Sequence, residues 1–89
     1  MAWKIEFHPS ALKELRELDR AVQRRVVDFL RERVAPLEDP RGIGEPLRGP
    51  VLGKYWKYRI GDYRIICDIN DRGLTILVVR IGNRRDVYR

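Results

Sequence analysis

The 89-residue chain contains few of the residues that bind metals or cross-link a fold. It has one cysteine and one histidine, so an internal disulfide is excluded and a metal site has few ligands to draw on. No apolar run approaches the roughly 20 residues of a membrane-spanning helix, and the first residues include no apolar stretch typical of a signal peptide. We expect a cytoplasmic protein with no cofactor, no metal site and no membrane partner.

Apolar residues are plentiful enough for one modest core. They make up 44% of the chain and are spread along its whole length, which argues against intrinsic disorder. A domain of this size buries about 60% of its unfolded surface. The composition therefore predicts a single domain that spans residues 1–89.

The net charge of +6 is concentrated in one half of the chain. Residues 1–40 carry eight basic and eight acidic residues, whereas residues 41–89 carry eleven basic and five acidic ones. This asymmetry is typical of a surface that binds a polyanion such as nucleic acid. A basic surface that serves only solubility would look the same.

Hydrophobic spacing predicts a strand and two helices in the first half. Apolar and charged residues alternate over residues 2–7, which indicates a half-buried strand. Pro9 and Asp19 are positioned to begin two helices, with His8 capping or packing at the start of the first. The apolar residues of these helices recur every three or four positions, namely Leu12, Leu15, Leu18, Val22, Val26, Phe29, Leu30 and Val34. The two helices are expected to form a hairpin over one face of a sheet.

The second half predicts a long loop followed by β-strands. Prolines and glycines crowd residues 35–53, which we interpret as a loop, with Leu47 as its candidate anchor on the core. Strand-type runs follow at 54–60, 63–69 and 74–81, with Gly82 ending the last run and residues 84–88 forming a short strand or a fixed tail. The order predicts an α+β fold: an N-terminal strand, a two-helix hairpin, then a mainly antiparallel β-sheet.

Cations and aromatic rings alternate along the first of these later strands. Strand geometry places Tyr55, Lys57 and Arg59 on one face. Arg64 begins the next strand, which is otherwise apolar, and a buried guanidinium without a partner is costly. We therefore expect Arg64 at a sheet edge, paired with an acid such as Asp68, or facing an anionic ligand whose phosphate geometry matches the arginine fork.

Antiparallel pairing of the last two strands would bring distant cations to one rim. Arg64 begins one strand and Arg84 follows the end of the other, so both lie at the same edge. Lys57 lies close to that edge, and the tail can fold back to bring Tyr88 there. We predict a central cluster of Lys57, Arg64, Arg84 and Tyr88, with RNA-binding residues around it at Arg48, Lys54, Tyr55, Arg59 and Arg85.

A cluster of fixed cations suits RNA cleavage as well as RNA binding. Arginine and lysine stabilise the charge that builds on phosphate oxygens during cleavage, and crowding by like charges lowers the pKa of a lysine. Lys57 could then act as a general base toward a 2′-hydroxyl, while Tyr55 or Tyr88 stacks on a nucleobase. The spacing alone fits a non-catalytic RNA-binding module equally well.

Four segments, residues 7–15, 46–49, 58–69 and 84–89, carry a family resemblance. The turn Arg-x-Gly-Asp-Tyr-Arg at 59–64, combined with the ending Arg-Arg-Asp-Val-Tyr, is its most specific part. In these segments the sequence resembles the RelE/ParE superfamily of toxins from type II toxin–antitoxin systems, and within it the RelE branch.

The resemblance implies a fold related to microbial ribonucleases and a metal-independent endoribonuclease that cuts mRNA, typically in the ribosomal A site. It also implies a cognate antitoxin, with an acidic toxin-binding segment, that wraps the toxin. By the same resemblance Lys57 is a basic residue of the cleavage centre, Arg64 and Arg84 stabilise the phosphate, and Tyr88 stacks on or orients the substrate. Tyr55 stands where the family has a second lysine.

Two alternatives stay open at the sequence level. The ParE branch of the superfamily consists of binding proteins that inhibit DNA gyrase, and such a protein does not need the cationic cleavage residues. The other alternative is an inactive, toxin-like RNA-binding module, whose RNA affinity would fall steeply with salt.

Overall fold

The computed structural model describes residues 2–50 and 53–83. The elements in chain order are β1 (Lys4–Phe7), α1 (Pro9–Arg16), α2 (Arg20–Phe29), a π-type turn (Leu30–Val34), a 3-10 turn (Pro40–Ile43), β2 (Glu45–Pro46), β3 (Tyr55–Ile60), β4 (Tyr63–Asn70) and β5 (Thr75–Asn83). The strands form a sheet in the order β1-β5-β4-β3-β2. β1 runs parallel to β5, and the other neighbours are antiparallel. The predicted α+β architecture is confirmed.

Both helices begin where the sequence predicts. His8 precedes α1, and its Nδ1 accepts a hydrogen bond of 3.2 Å from the backbone N–H of Ser10, which satisfies one free donor of the first turn. Asp19 precedes α2, where its backbone carbonyl accepts from the N–H of Gln23 at 2.9 Å while its side chain makes no capping hydrogen bond. No helix in the described part of the chain is long and apolar enough to cross a membrane.

The apolar stripe of the second helix packs against the sheet. Val26, Leu30 and Val34 are fully buried. The π-type turn, in which the Ala35 N–H donates to the Leu30 carbonyl at 2.8 Å, carries this stripe beyond the end of α2. The helical layer therefore covers the sheet face that contains Tyr58, whose ring lies edge-on to a ring of α2.

The last strand is longer than predicted. β5 continues through Gly82 to Asn83, so the prediction that Gly82 ends the strand is wrong. Gly82 lies opposite Arg64, and Asn83 lies opposite Tyr63. A strand ladder needs only backbone groups, and the cost of a strand glycine, roughly 0.5–1 kcal/mol, is too small to end a strand that β4 holds in place. The prediction for residues 84–88 lies outside the described residues.

The predicted loop at 35–53 contains two short elements, the 3-10 turn and β2. The buried hydroxyl of Tyr58 donates a hydrogen bond to the carbonyl of Pro40, which is itself buried. Leu47 is only half-buried and is held through its backbone N–H, which donates to the carbonyl of Tyr55 at 3.0 Å. The loop is therefore seated on the core by Pro40 rather than by Leu47.

Candidate functional site

The tight turn between β3 and β4 aligns two arginines. Ile60 pairs with Tyr63, and Gly61 between them has a φ of +57°, which glycine adopts without strain. The next pair outward is Arg59 with Arg64. In a two-residue hairpin the two residues of this second pair exchange no backbone hydrogen bonds with each other. Facing side chains lie closest together in such pairs.

Arg64 is a buried cation with no acidic partner among the described residues. It lies on β4, between β3 and β5, so the expectation of a sheet edge is wrong. Arg64 is only 5% exposed, and its Nη1 donates to the carbonyls of Tyr63 at 3.3 Å and Gly61 at 3.5 Å. The expected pairing with Asp68 is not formed, because Asp68 lies about 13 Å further along the same strand. The expectation of an anionic ligand stays a prediction.

Arg64 opens into a groove of about 620 Å³ on the sheet face away from the helices. We call this the basic groove, and its lining residues are Glu45, Pro46, Leu47, Arg48, Lys57, Arg59 and Arg64. Lys57 faces Ile66 on β4, which makes Lys57 and Arg64 diagonal neighbours about 7–8 Å apart. Of the residues predicted from sequence, the structure thus brings four together here: Lys57, Arg64, Arg48 and Arg59.

Two of the other predicted residues lie away from the basic groove. Lys54 and Tyr55 are at the far end of β3, where the Lys54 Nζ lies 5.0 Å from the centre of the Tyr55 ring, and neither lines the basic groove. The predictions for Arg84, Arg85 and Tyr88 lie outside the described residues, which end at Asn83 beside Tyr63.

The basic groove contains one acid that sequence reasoning missed. β2 places Glu45 directly opposite Lys57, and the Glu45 Oε2 lies 3.4 Å from the Lys57 Nζ. The Glu45 side chain is 75% exposed, so this ion pair contributes less than about 1 kcal/mol to stability. Its effect is local, because any anion in the basic groove would compete with this carboxylate for Lys57. Glu45 was missed because no sequence pattern predicts a two-residue strand inside a proline-rich loop.

A second cavity, of about 250 Å³, lies at the same edge of the sheet. We call it the edge cavity, and it is lined by Phe29, Arg33, Ile43, Glu45, Lys57 and Arg59. Phe29 belongs to the apolar stripe predicted for the second helix, and no sequence pattern singles out Arg33, so sequence analysis did not reveal this cavity. It shares Glu45, Lys57 and Arg59 with the basic groove, which makes the two spaces neighbours.

Two buried groups beneath the groove stay neutral at physiological pH. Burial raises the pKa of the Tyr58 hydroxyl and of the Cys67 thiol far above their ordinary values. Neither group is therefore available as a nucleophile or base. Within residues 2–50 and 53–83, no three His, Cys, Asp or Glu side chains cluster closely enough to hold a metal ion.

Comparison with known proteins identifies the family. The family model for the ParE toxin of the type II toxin–antitoxin system parDE matches residues 5–88. Toxin RelG of Mycobacterium tuberculosis is 29% identical over 89 residues, covering 100% of this chain and 99% of RelG. The mRNA interferase toxin RelE of Escherichia coli K12 is 32% identical over 90 residues, covering 99% of this chain and 92% of that protein.

A solved structure of a related toxin has the same fold. The crystal structure of the toxin–antitoxin complex RelBE2 from Mycobacterium tuberculosis matches with a TM-score of 0.85 and 27% identity, over 97% of this chain and 95% of that chain. The family model carries the ParE name, whereas the relatives and this structure carry Rel names. The chain belongs to the RelE/ParE superfamily of type II toxin–antitoxin toxins, in its RelE branch.

Proposed function

We propose that the protein is an endoribonuclease that cuts mRNA in the ribosomal A site without a metal ion and thereby inhibits translation. The observation that carries the proposal is the direct opposition of Arg59 and Arg64 beside Lys57 in the basic groove. Cations held this close suit an anion whose charge is spread over several oxygens, as it is in a phosphodiester under attack. The Escherichia coli relative is named an mRNA interferase, which supports this choice of substrate.

In the proposed reaction the RNA 2′-hydroxyl attacks the adjacent phosphorus. A bond forms between the 2′-oxygen and phosphorus, the bond to the 5′-oxygen breaks, and the 2′-proton passes to a base while the leaving oxygen gains a proton. Arg64 and Arg84 stabilise the charge on the phosphate oxygens, and Lys57 supplies the basic group. Tyr88 orients a nucleobase, and the flanking RNA contacts Arg48, Lys54, Tyr55, Arg59 and Arg85.

Mapping of mRNA 5′ ends on ribosomes tests the proposal. The purified chain is expected to cut within A-site codons, and treatment of the chain with a chelator before it is added to the ribosomes should not slow the cuts. Arg64→Ala and Arg84→Ala should each cut roughly 10²-fold more slowly. Arg72→Gln, in the exposed turn between β4 and β5, is the matched loss of one positive charge and should cut like the wild type.

The contrary outcomes separate the alternatives. If both alanine variants cut as fast as the wild type, the assigned site is wrong. If the wild type binds RNA with a steep salt dependence but makes no cuts, the protein is an RNA-binding module.

The ParE name of the matching family model supports one further candidate, a gyrase inhibitor. A supercoiling assay distinguishes it, because inhibition of gyrase without RNA cuts would favour this function. A gyrase inhibitor does not need the four cations that line the basic groove, so we rank RNA cleavage first.

We also propose that a cognate antitoxin covers the basic groove in the cytoplasm through an acidic segment that folds on binding. The similar structure from Mycobacterium tuberculosis is a toxin–antitoxin complex. Co-expression with a small acidic reading frame adjacent to the gene should restore growth, whereas an unrelated acidic protein should not.

A further inference from the structure

The sheet has an open stretch of edge beside Arg59. β2 contains only Glu45 and Pro46, which lie opposite Lys57 and Trp56, so no residue of β2 faces Arg59. The carbonyl of Tyr55 points toward β2, since it accepts from the N–H of Leu47. Alternate residues of an antiparallel strand point their backbone groups to the same side. The N–H and C=O of Arg59 therefore point to the same side, past the end of β2.

The edge cavity lies at this open stretch, between the end of α2 and the 3-10 turn. Phe29 and Ile43 give it apolar surface, and Arg33 adds a cation at its rim. Ile43 is 45% exposed and is the one large hydrophobic residue so exposed within residues 2–50 and 53–83. At about 250 Å³ the cavity is just smaller than the roughly 300 Å³ at which pockets for drug-sized ligands begin. It therefore suits a single flat ring system.

We propose that the edge cavity binds one nucleobase of the RNA, next to the linkage held in the basic groove. The inference rests on the proposed function. The base packs against Phe29 and Ile43, its polar edge bonds the backbone N–H and C=O of Arg59, and Arg33 contacts its phosphate. This base site makes cleavage depend on which nucleotide flanks the cut.

Two observations favour RNA over an added peptide strand at this edge. The cavity shares Lys57 and Arg59 with the basic groove, so a phosphate in the groove and a base in the cavity can belong to neighbouring nucleotides. Three of its six lining residues are cationic, which suits a phosphorylated ligand.

A binding titration tests the base site without requiring catalysis. Amide and methyl NMR spectra of the wild-type chain would be recorded with each of the four 5′-ribonucleoside monophosphates. We expect saturable shifts at the Arg59 amide and the Ile43 methyls, with at least one nucleotide bound more tightly than the others. Arg33→Ala should weaken binding roughly threefold to fivefold, the effect expected for one solvent-facing ion pair.

Arg31→Ala is the matched control for Arg33→Ala. Both arginines are exposed on the same π-type turn, but Arg31 lines a different cavity, beside Trp3 and Ile5 on β1. Ile43→Ala is a second test that spares the fold, because this side chain is largely exposed. It should reduce both nucleotide binding and the preference for one base beside the mRNA cut.

The outcomes separate the base site from the proposed function. Absence of shifts at Arg59 and Ile43, or equal effects of Arg33→Ala and Arg31→Ala, would overturn the base site whether or not mRNA is cut. Shifts caused by an extended acidic peptide but by no nucleotide would assign the edge to a protein partner and also overturn it. Normal nucleotide shifts without mRNA cleavage would support the base site and contradict the proposed nuclease.

Discussion

Arg64 faces Arg59 directly across the β3–β4 pair, at the position next to the Gly61 turn. Like charges placed opposite each other destabilise a sheet. Burial of Arg64 increases this loss of stability, because the residue is 5% exposed and forms no ion pair within the described residues. A fold that keeps such a pair gives up stability at a place where a bound anion would restore it.

Arg64→Gln should therefore separate activity from stability. We expect mRNA cleavage to fall roughly 10²-fold, because a donor to the phosphate is lost, while the thermal unfolding midpoint stays the same or rises. Enzyme kinetics on ribosomes and a thermal melt of the same preparation measure both. Arg72→Gln controls for the loss of charge, and a melting point several degrees below wild type would instead make Arg64 a structural residue.

Glu45→Gln should strengthen RNA binding. The change removes the carboxylate that lies 3.4 Å from the Lys57 amine, so RNA phosphate no longer competes with it. We expect the dissociation constant for RNA to fall about threefold to fivefold, as for the loss of one exposed ion pair. Glu6→Gln, on the exposed face of β1, makes the same change in net charge away from the groove. Equal effects of the two variants would show that Glu45 acts only through net charge.

Tyr58→Phe should lower stability and flatten its dependence on alkaline pH. The variant leaves the Pro40 carbonyl without its donor, which should cost about 1–2 kcal/mol of unfolding free energy at neutral pH. Burial raises the pKa of the Tyr58 hydroxyl above its ordinary 10.0, so its contribution is complete below pH 10 and is lost as the pH rises further.

Urea titrations between neutral pH and pH 11 measure this effect. The difference between wild type and Tyr58→Phe should shrink above pH 10. Tyr63→Phe is the control, since Tyr63 is only half-buried. A difference that grows with alkaline pH would contradict the raised pKa.

Asp71→Asn should lower stability at neutral pH but not in strong acid. Arg41 donates to both carboxylate oxygens of Asp71, at 3.0 and 2.7 Å, and these hydrogen bonds lower the pKa of Asp71 from its ordinary 3.8. The stabilisation is therefore present above pH 3.8 and is lost as the pH falls through the lowered pKa. Urea midpoints of wild type and variant should differ slightly at pH 6 and converge in strong acid, with Asp62→Asn as the control turn carboxylate. A difference in urea midpoint that persists in acid would show that the Arg41–Asp71 pair is not the source of the difference.

The local elements of the fold could be predicted from sequence because they follow from spacing. The alternation of apolar and charged residues at 2–7 predicted β1, and the spacing of Val26, Leu30 and Val34 predicted a buried helical stripe. The parallel neighbour of β1 could not be predicted, since the pattern of one strand does not specify its partner. The continuation of β5 through Gly82 was missed for a related reason, because pairing with β4 outweighs the local preference of glycine.

The candidate site was predictable only where it lies on regular strands. Strand alternation placed Lys57 and Arg59 on one face, and hairpin pairing placed Arg64 beside them. The partners that come from irregular chain, Glu45 on β2 and Ile43 on the 3-10 turn, were missed. Their positions depend on tertiary contacts, such as the hydrogen bond from Tyr58 to Pro40 and the pairing of Glu45 with Lys57, which no local pattern encodes.

The parallel pairing of β1 with β5 joins Lys4 to Thr75 and Phe7 to Val78, so β1 cannot pair until β5 has been made. Until β5 emerges during synthesis, β1 has no neighbour and β4 lacks one of its two partners. A nascent chain that stops before this strand cannot assemble the sheet that supports the arginines. Translation must therefore pass Asn83 before the paired arginines can take up their positions on the sheet.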